Sequence, residues 1–315
     1  MKDRRAWVLI TAVFIDIFFG DPPNQFHPVA WMGSFIAWAK KFRPYGSSTA
    51  ELGFGAGIVA SGGLLIAGLG ALFLKAVSIL PAPVAILGEA LLLKATFSGR
   101  GLWQAAEEVE TALQQDDLPE ARRLLSWHLV SRDTSQLTAS QVAAATIESV
   151  SENTSDGIIA PLFWYGIGGL PAALAYRLFN TADAMLGYRD EAHEWLGKVP
   201  AIWDDLLNWV PSRITAVLTI IAAQIQNGRG RQAFTIMRRD ATTTDSPNAG
   251  YPMSTTAGAL EIELEKTGQY NLGAGQNPAQ AKDIAQARYL MALVIGLAVA
   301  GLLLLRNFVP DNSKT

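Results

Sequence analysis

The chain contains no cysteine, which excludes disulfides, thiolate nucleophiles and cysteine-ligated zinc. Its histidines, His27, His128 and His193, lie far apart and show no metal-ligand spacing, so no histidine metal centre is expected. Charge is also scarce. Only 17% of the 315 residues are charged, against about a quarter in an ordinary soluble domain. The net charge of −3 gives no reason to expect nucleic acid as a partner. Familiar catalytic signatures are missing: there is no GxxxxGK(S/T), no GxGxxG after a strand, no GxSxG and no HExxH. Any use of ATP therefore follows a scheme other than the phosphate loop. No alternating strand pattern of useful length stands out, and no fixed-period repeat is evident.

What the chain has instead is apolar length. Half of its residues are hydrophobic, 28 are glycine, and the mean hydropathy is +0.20. These values predict an all-α, polytopic membrane protein with long amphipathic polar loops. Leu52–Leu80 and Tyr289–Leu305 are the clearest spans, since a crossing needs about 20 apolar residues. Gly157–Phe179 is long enough but contains Gly168, Gly169 and Pro171, which predict a broken or re-entrant helix. Ala6–Phe19, Ala82–Phe97 and Ile214–Ile225 are shorter. The opening MKDRR reads as the start of a retained first helix, because no small-residue cleavage site follows and Asp16 interrupts the apolar run. Lys2, Arg4 and Arg5 then argue for a cytoplasmic N-terminus, and Arg229, Arg231, Arg238 and Arg239 for a cytoplasmic polar region. Strict alternation of all six segments does not reconcile those two regions, so at least one short segment is expected not to cross. The chain reads as a single membrane domain over 1–315, with its longest polar regions at 98–156 and 226–288 and a disordered tail at 311–315.

The polar regions carry periodicity of their own. LWQAAEEVETALQQ places Leu102, Ala106, Val109 and Leu113 on one helical face, and DLPEARRLLSWHLVSR puts Pro119 in a first turn. A third helix is expected with Asp133 or Thr134 as its cap and Gly157 as its close.

Carboxylates and amides crowd against the apolar runs, as membrane proteins seldom allow without a use. The densest case is ESVSENTSDG, Glu148 to Gly157. Glu148 and Glu152 are four residues apart and Asp156 is one turn further, so an α-helix sets all three on one stripe. That stripe is either a solvated acidic face or a site for Mg²⁺ or Mg-nucleotide, with Asn153 beside it. Asp21 and His27 lie in GDPPNQFHPVAWMG, whose three prolines fix an irregular backbone. Arg132 precedes Asp133; Asn180, Asp183, Tyr188 and Arg189 fall within ten residues; Asp204 and Asp205 adjoin Asn208; and Arg213 follows Pro211. Arg238, Arg239 and Asp240, then Ser246, Pro247 and Asn248, offer cations and backbone donors suited to phosphate.

In these motifs the sequence resembles the adenosylcobinamide-phosphate synthase family of cobalamin biosynthesis, the integral membrane CbiB/CobD type. The resemblance is carried by GDPPNQFHPVAWMG, TFSGRGL, LLSWHLVSRDTSQL, IESVSENTSDGIIAPLFW, NTADAMLGYRDE, DDLLNWVPSRITA and RRDATTTDSPNAGYPMSTTAGAL. They stand in family order and cover the chain to about Gly273. His128, where an aliphatic residue is expected, and Ser131, in place of a common glycine, are the departures.

The resemblance implies a ligase that joins adenosylcobyric acid to (R)-1-amino-2-propanol O-phosphate, consuming ATP with Mg²⁺. It also implies a multi-pass protein of the cytoplasmic membrane with its active face toward the cytoplasm, embedded in the lipid bilayer. A homo-oligomer, or a complex with later cobalamin-assembly enzymes, would be in keeping with it. Under this reading Glu148, Glu152, Asp156 and Asp183 hold metal or act as base. Arg132, Arg189, Arg213, Arg238 and Arg239 neutralise phosphate. Asp21, His27, Asn153, Asn180, Asp204, Asp205 and Asn248 complete the substrate site. The rival readings are a transporter for a polar solute and an AmpE-like membrane sensor.

Overall fold

The computed structural model describes residues 2–187 and 194–305. Twelve α-helices run through the described residues: α1 Lys2–Phe19, α2 Pro28–Lys40, α3 Ser48–Val77, α4 Ala82–Lys94, α5 Gly99–Gln114, α6 Leu118–His128, α7 Ala139–Thr154, α8 Ala160–Leu186, α9 Glu194–Asn227, α10 Gly230–Asp240, α11 Gly250–Leu260 and α12 Ala281–Leu305. Among the described residues, four helical stretches are long and apolar enough to cross a membrane: Ser48–Val77, Ala139–Leu186, Glu194–Asn227 and Ala281–Leu305. In the first and last of these only 28% of the apolar window is buried, so most of its hydrocarbon surface faces outward. That is the surface expected of a helix solvated by lipid. The all-α polytopic expectation holds. Among the shorter expected segments, α4 has 13 residues, fewer than a crossing needs.

The chain divides into two compact units. One comprises Met1–Ser98, Ala160–Asn208 and Gly301–Thr315. Its centre is an apolar cluster of Ile36 and Ala39 from α2, Ile58 and Val59 from α3, Ala182 and Leu186 from α8, and Leu196 from α9. The α3 helix can approach so closely because it turns glycines inward. A Cβ on Gly55 would stand 2.0 Å from the Leu196 carbonyl oxygen, and one on Gly63 would stand 2.9 Å from the Phe179 ring. Polar cross-links complete the packing. Arg4 on α1 reaches Glu89 on α4 at 3.1 Å, and the Tyr165 hydroxyl donates to the same carboxylate at 3.3 Å. The expected break in the third apolar segment falls at Gly169, with φ 68 and ψ −160 inside α8 and Pro171 just beyond. Only glycine adopts that conformation without strain.

The other unit comprises Gly99–Ile159 and Trp209–Ala300. As the periodicity predicts, α5 and α6 are amphipathic, burying Ala106 and Val109, and Leu124 and Leu125. Asp117 caps α6 by accepting from the Glu120 N–H, and Pro119 sits in the first turn. The start of α7 differs from expectation. Its cap is Thr138, in a capping box with Gln141. Asp133 is occupied by the Ser135 N–H and the Thr134 hydroxyl by the Arg122 carbonyl, so the chain makes a further turn before the helix begins. Nor does Gly157 close the helix: it lies in a π-helical turn, Ser155–Ile159, that leads into α8.

A small sheet corrects the expectation of no strands. β1 (Ile262–Lys266) pairs antiparallel with β2 (Tyr270–Leu272) and parallel with β3 (Asn277–Pro278). Gly268, at φ +76, allows the tight turn between β1 and β2. β1 buries Ile262 and Leu264 and packs on α7 and α11. The core of this unit gathers Ile159, Ala222 and Ala223 of α9, Ala233 of α10, Ala259 of α11, and Leu290 and Val294 of α12.

Candidate functional site

The expected acidic stripe begins on α7. Glu148 and Glu152 share a face of α7, close enough that each acts on the other's charge. Asp156 lies in the π turn, Ser155–Ile159, that follows. Glu148 is only 5% exposed. Arg132, from the loop before α7, brings its guanidinium to 3.5 Å from Glu148 Oε2. The hairpin supplies two groups that sequence reading missed. Lys266 and Tyr270 face each other across the β1–β2 pairing, and both act on Glu148. Burial, then the carboxylates of Glu148 and Glu152, hold the Tyr270 phenol well above its ordinary value, so it stays protonated and can donate. Its hydroxyl also lies 4.0 Å from the Met253 sulfur.

Two atoms of this cluster are left over. Glu148 Oε1 and Arg132 Nε are both buried without a hydrogen-bond partner, an acceptor and a donor belonging to the same ion pair. Buried polar groups are almost always satisfied. Two orphans on one pair therefore mark a place for something that both donates and accepts.

The phosphate-binding expectation for Arg238 and Arg239 meets a different arrangement. Arg239 spends its planar fork on Asp240, Nε at 2.6 Å and Nη2 at 2.8 Å, and its Nη1 donates to the Ala274 carbonyl. Asp240 in turn accepts from the Gly273 N–H at 2.7 Å. The Arg239 guanidinium and the Gly273 amide hold this carboxyl below its usual range against the opposing effect of burial. This pair fastens α10 to the loop after β2. Arg238 lies 5.9 Å from the Phe234 ring centroid. Arg213 stacks between Trp209 and Tyr251, 4.4 and 4.1 Å from their centroids. It donates to Asn248 Oδ1 and to the Pro247 carbonyl, fixing the SPN turn, whose Ser246 hydroxyl accepts from the Asn248 and Ala249 amides. Asn153 donates to the Ser149 carbonyl of its own helix.

In the other unit two further clusters form. Asp204 is buried and accepts from Asn180 at 3.2 Å and from Asn208 at 3.0 Å. Tyr176 donates to Asn208 at 2.7 Å and Arg177 to Asn180 at 3.0 Å, so a chain of hydrogen bonds runs from phenol to guanidinium through one carboxylate. Asp205 adjoins it, and the Asp183 carbonyl accepts from the Gly187 N–H. Asp21 accepts from Lys94, from the Ser98 hydroxyl and from His27 Nε2. His27 Nδ1 accepts from the Val29 N–H and so caps α2, which assigns the proton to Nε2. These donors hold the Asp21 carboxyl far below its ordinary value, outweighing desolvation. Lys94, buried at the end of α4, also meets Asp16 at 3.1 Å. The sequence held no local signal for Lys94, because an apolar helix ending in one lysine looks like an interfacial anchor. Tyr188 and Arg189 lie outside the described residues.

The Mg²⁺ expectation can be tested on the donor set. Among the described residues no three histidine, cysteine, aspartate or glutamate side chains converge as a metal site. Glu148 and Glu152 are accompanied by the cations Arg132 and Lys266 instead, and Asp156 lies beyond them in the π turn. The set Glu148, Glu152 and Asp156 does not fit a dedicated metal cage.

Comparison with known proteins agrees with the motif reading. The family model described as CobD/Cbib protein matches residues 9–293. A probable cobalamin biosynthesis protein CobD from Methanothermobacter thermautotrophicus is 40% identical over 94% of this chain and 97% of its own. Cobalamin biosynthesis protein CobD from Dehalococcoides mccartyi is 40% identical over 88% and 90%, and cobalamin biosynthesis protein CbiB from Salmonella typhimurium is 37% identical over 96% and 95%. No solved structure matches the chain. The chain belongs to the CobD/CbiB family of cobalamin biosynthesis proteins.

Proposed function

We propose that this protein is a membrane ligase of cobalamin biosynthesis, joining adenosylcobyric acid to (R)-1-amino-2-propanol O-phosphate with consumption of ATP and a requirement for Mg²⁺. Its product would be adenosylcobinamide phosphate. The observation that carries the reading is the Arg132–Glu148–Glu152–Lys266–Tyr270 cluster, where cations and carboxylates alternate around two unsatisfied atoms in a family named for corrinoid assembly. A free carboxylate does not acylate an amine, because oxide is a poor leaving group. The γ-phosphoryl group of ATP passes to the corrinoid carboxylate, leaving ADP. The amine nitrogen then attacks the acyl carbon, phosphate departs, and a nearby base takes the ammonium proton. Bound together with the nucleotide, Mg²⁺ would supply charge neutralisation of the phosphates.

The chain's own residues have simpler tasks. Glu148 and Glu152 offer acceptors for the ammonium and its proton, Arg132 and Lys266 neutralise phosphate, and Tyr270 donates a hydrogen bond. Asn180, half-buried beside Asp204, is suited to amide groups of the kind a corrinoid bears. ATP and both substrates are cytosolic, so the active face is assigned to the cytoplasmic side of the cytoplasmic membrane. The break at Gly169 favours one rival, a transporter with a discontinuous helix. A single assay separates the two. Purified protein in detergent, given adenosylcobyric acid, aminopropanol phosphate and Mg-ATP, should yield the mass of the amide product; substrates recovered unchanged would leave the transporter.

A further inference from the structure

The geometry points to the junction of α7 with the β1–β2 hairpin as the site of the amine substrate, recognised as a zwitterion by its ammonium and its phosphate together. This assignment rests on the ligase reading for the identity of that substrate, but its physical basis is local. Glu148 is more than nine-tenths buried, and its Oε1 has no donor. A buried carboxylate oxygen without a donor is costly, and an ammonium is the donor that relieves it most, since it brings charge as well as hydrogen. Glu152 lies one turn along the same face and adds a second acceptor.

Arg132 Nε carries a hydrogen with no acceptor, and Lys266, on the hairpin, acts on the same Glu148 carboxylate. Those two cations suit a phosphate. An amino-alcohol phosphate presents one positive and one negative group across a short two-carbon spacer, matching the alternation of charges in the cluster. Tyr270, paired with Lys266 by strand register, stands beside them with its hydroxyl hydrogen-bonded to Glu148. A bare divalent cation would satisfy Glu148 but would leave the arginine hydrogen orphaned and would be repelled by Lys266. A bare phosphate would do the reverse.

Binding to the full chain in detergent, measured by isothermal titration without ATP or corrinoid, tests this directly. The probes are (R)-1-amino-2-propanol O-phosphate, 1-amino-2-propanol and inorganic phosphate. The wild-type protein should bind the phosphate ester at least about tenfold more tightly than either half, as each charged contact contributes on the order of a factor of ten. Glu148→Gln should weaken the ester by roughly 30-fold or more, the scale set by unpairing a buried charge, and should leave inorganic phosphate unchanged. Because Glu148 is buried and its variant could misfold, Lys266→Gln on the half-exposed hairpin serves as the second reading. It should weaken the ester about tenfold and spare the amino alcohol. Wild-type affinity for the ester in Lys266→Gln, or equal affinity of the wild type for ester and inorganic phosphate, overturns the assignment. The two ideas fail separately. If amide product forms but the variants keep the KM for the amine, the site is wrong and the ligase stands. If the ester binds as described but no amide forms, the ligase reading falls and the zwitterion site remains.

Discussion

At the scale of single residues, adjacency in sequence was a better guide to helical pairs than to loop chemistry. Glu148 with Glu152, and Asp204 with Asn208, were legible from i,i+4 spacing alone. Lys266 and Tyr270 were not, because strand register brings them to Glu148 and no local pattern encodes register across a turn. Arg239 read as a phosphate ligand because arginine forks suit phosphate, yet the neighbouring Asp240 takes the fork first. Two outcomes follow at this scale. Glu152→Gln preserves shape and removes one carboxylate, so the protein should fold while amide formation falls on the order of 10²-fold, as loss of a proton-transfer group does; turnover within a factor of two of wild type in the mass assay would make that face merely solvated. The second concerns pH. Asp21 has its carboxyl pKa lowered by His27, Lys94 and Ser98, so its contribution to stability is present above the ordinary value of 3.8 and is lost as pH falls below it. In detergent, Asp21→Asn should lower Tm at pH 7, and the gap from wild type should narrow below about pH 4. A gap that stays constant across that range would show the ionised carboxylate to be irrelevant.

Elements were legible where a period ran long enough. The amphipathic faces of α5 and α6 and the place of Pro119 in a first turn followed from spacing and turn chemistry. The hairpin escaped because the alternation of IELEK spans a single five-residue strand, too short to separate from a polar loop. The cap of α7 escaped for another reason: Asp133, Thr134 and Thr138 are all good capping residues, and a local turn at Asp133 and the Arg122 carbonyl at Thr134 decide among them. The break in α8 was visible as glycine beside proline, and it makes a sharp prediction. Gly169→Ala forces a Cβ into a glycine-only conformation, costing about 1–3 kcal/mol and lowering Tm by several degrees. Gly301→Ala is the control, because a Cβ there meets nothing within 4 Å. Equal melting of the two variants would mean that the backbone at Gly169 relaxes freely.

For the whole molecule, composition conveyed the class and hydropathy the main spans, but neither reported how many helices cross. Four stretches among the described residues have the length and apolarity to do so. The lack of any native cysteine makes sidedness simple to measure. Ser135 and Thr267, both exposed and both flanking the Glu148 cluster in sequence or across the hairpin turn, should as single cysteines react with an impermeant maleimide only from the cytoplasmic side. Labelling of either from outside would separate the cluster from cytosolic ATP. The glycine seam of α3 has a different consequence, for solvents. Gly55, Gly62, Gly63 and Gly70 let α3 settle against leucine and phenylalanine side chains and backbone, an apolar contact formed in a medium just as apolar. Water supplies no drive for such an association; close-fitting dispersion does. Chaotropes that act by solvating groups in water therefore gain little purchase on it, whereas an amphiphile whose tail fits the seam competes for the same surface. The α3–α8 pairing should outlast concentrated urea and give way to a change of detergent.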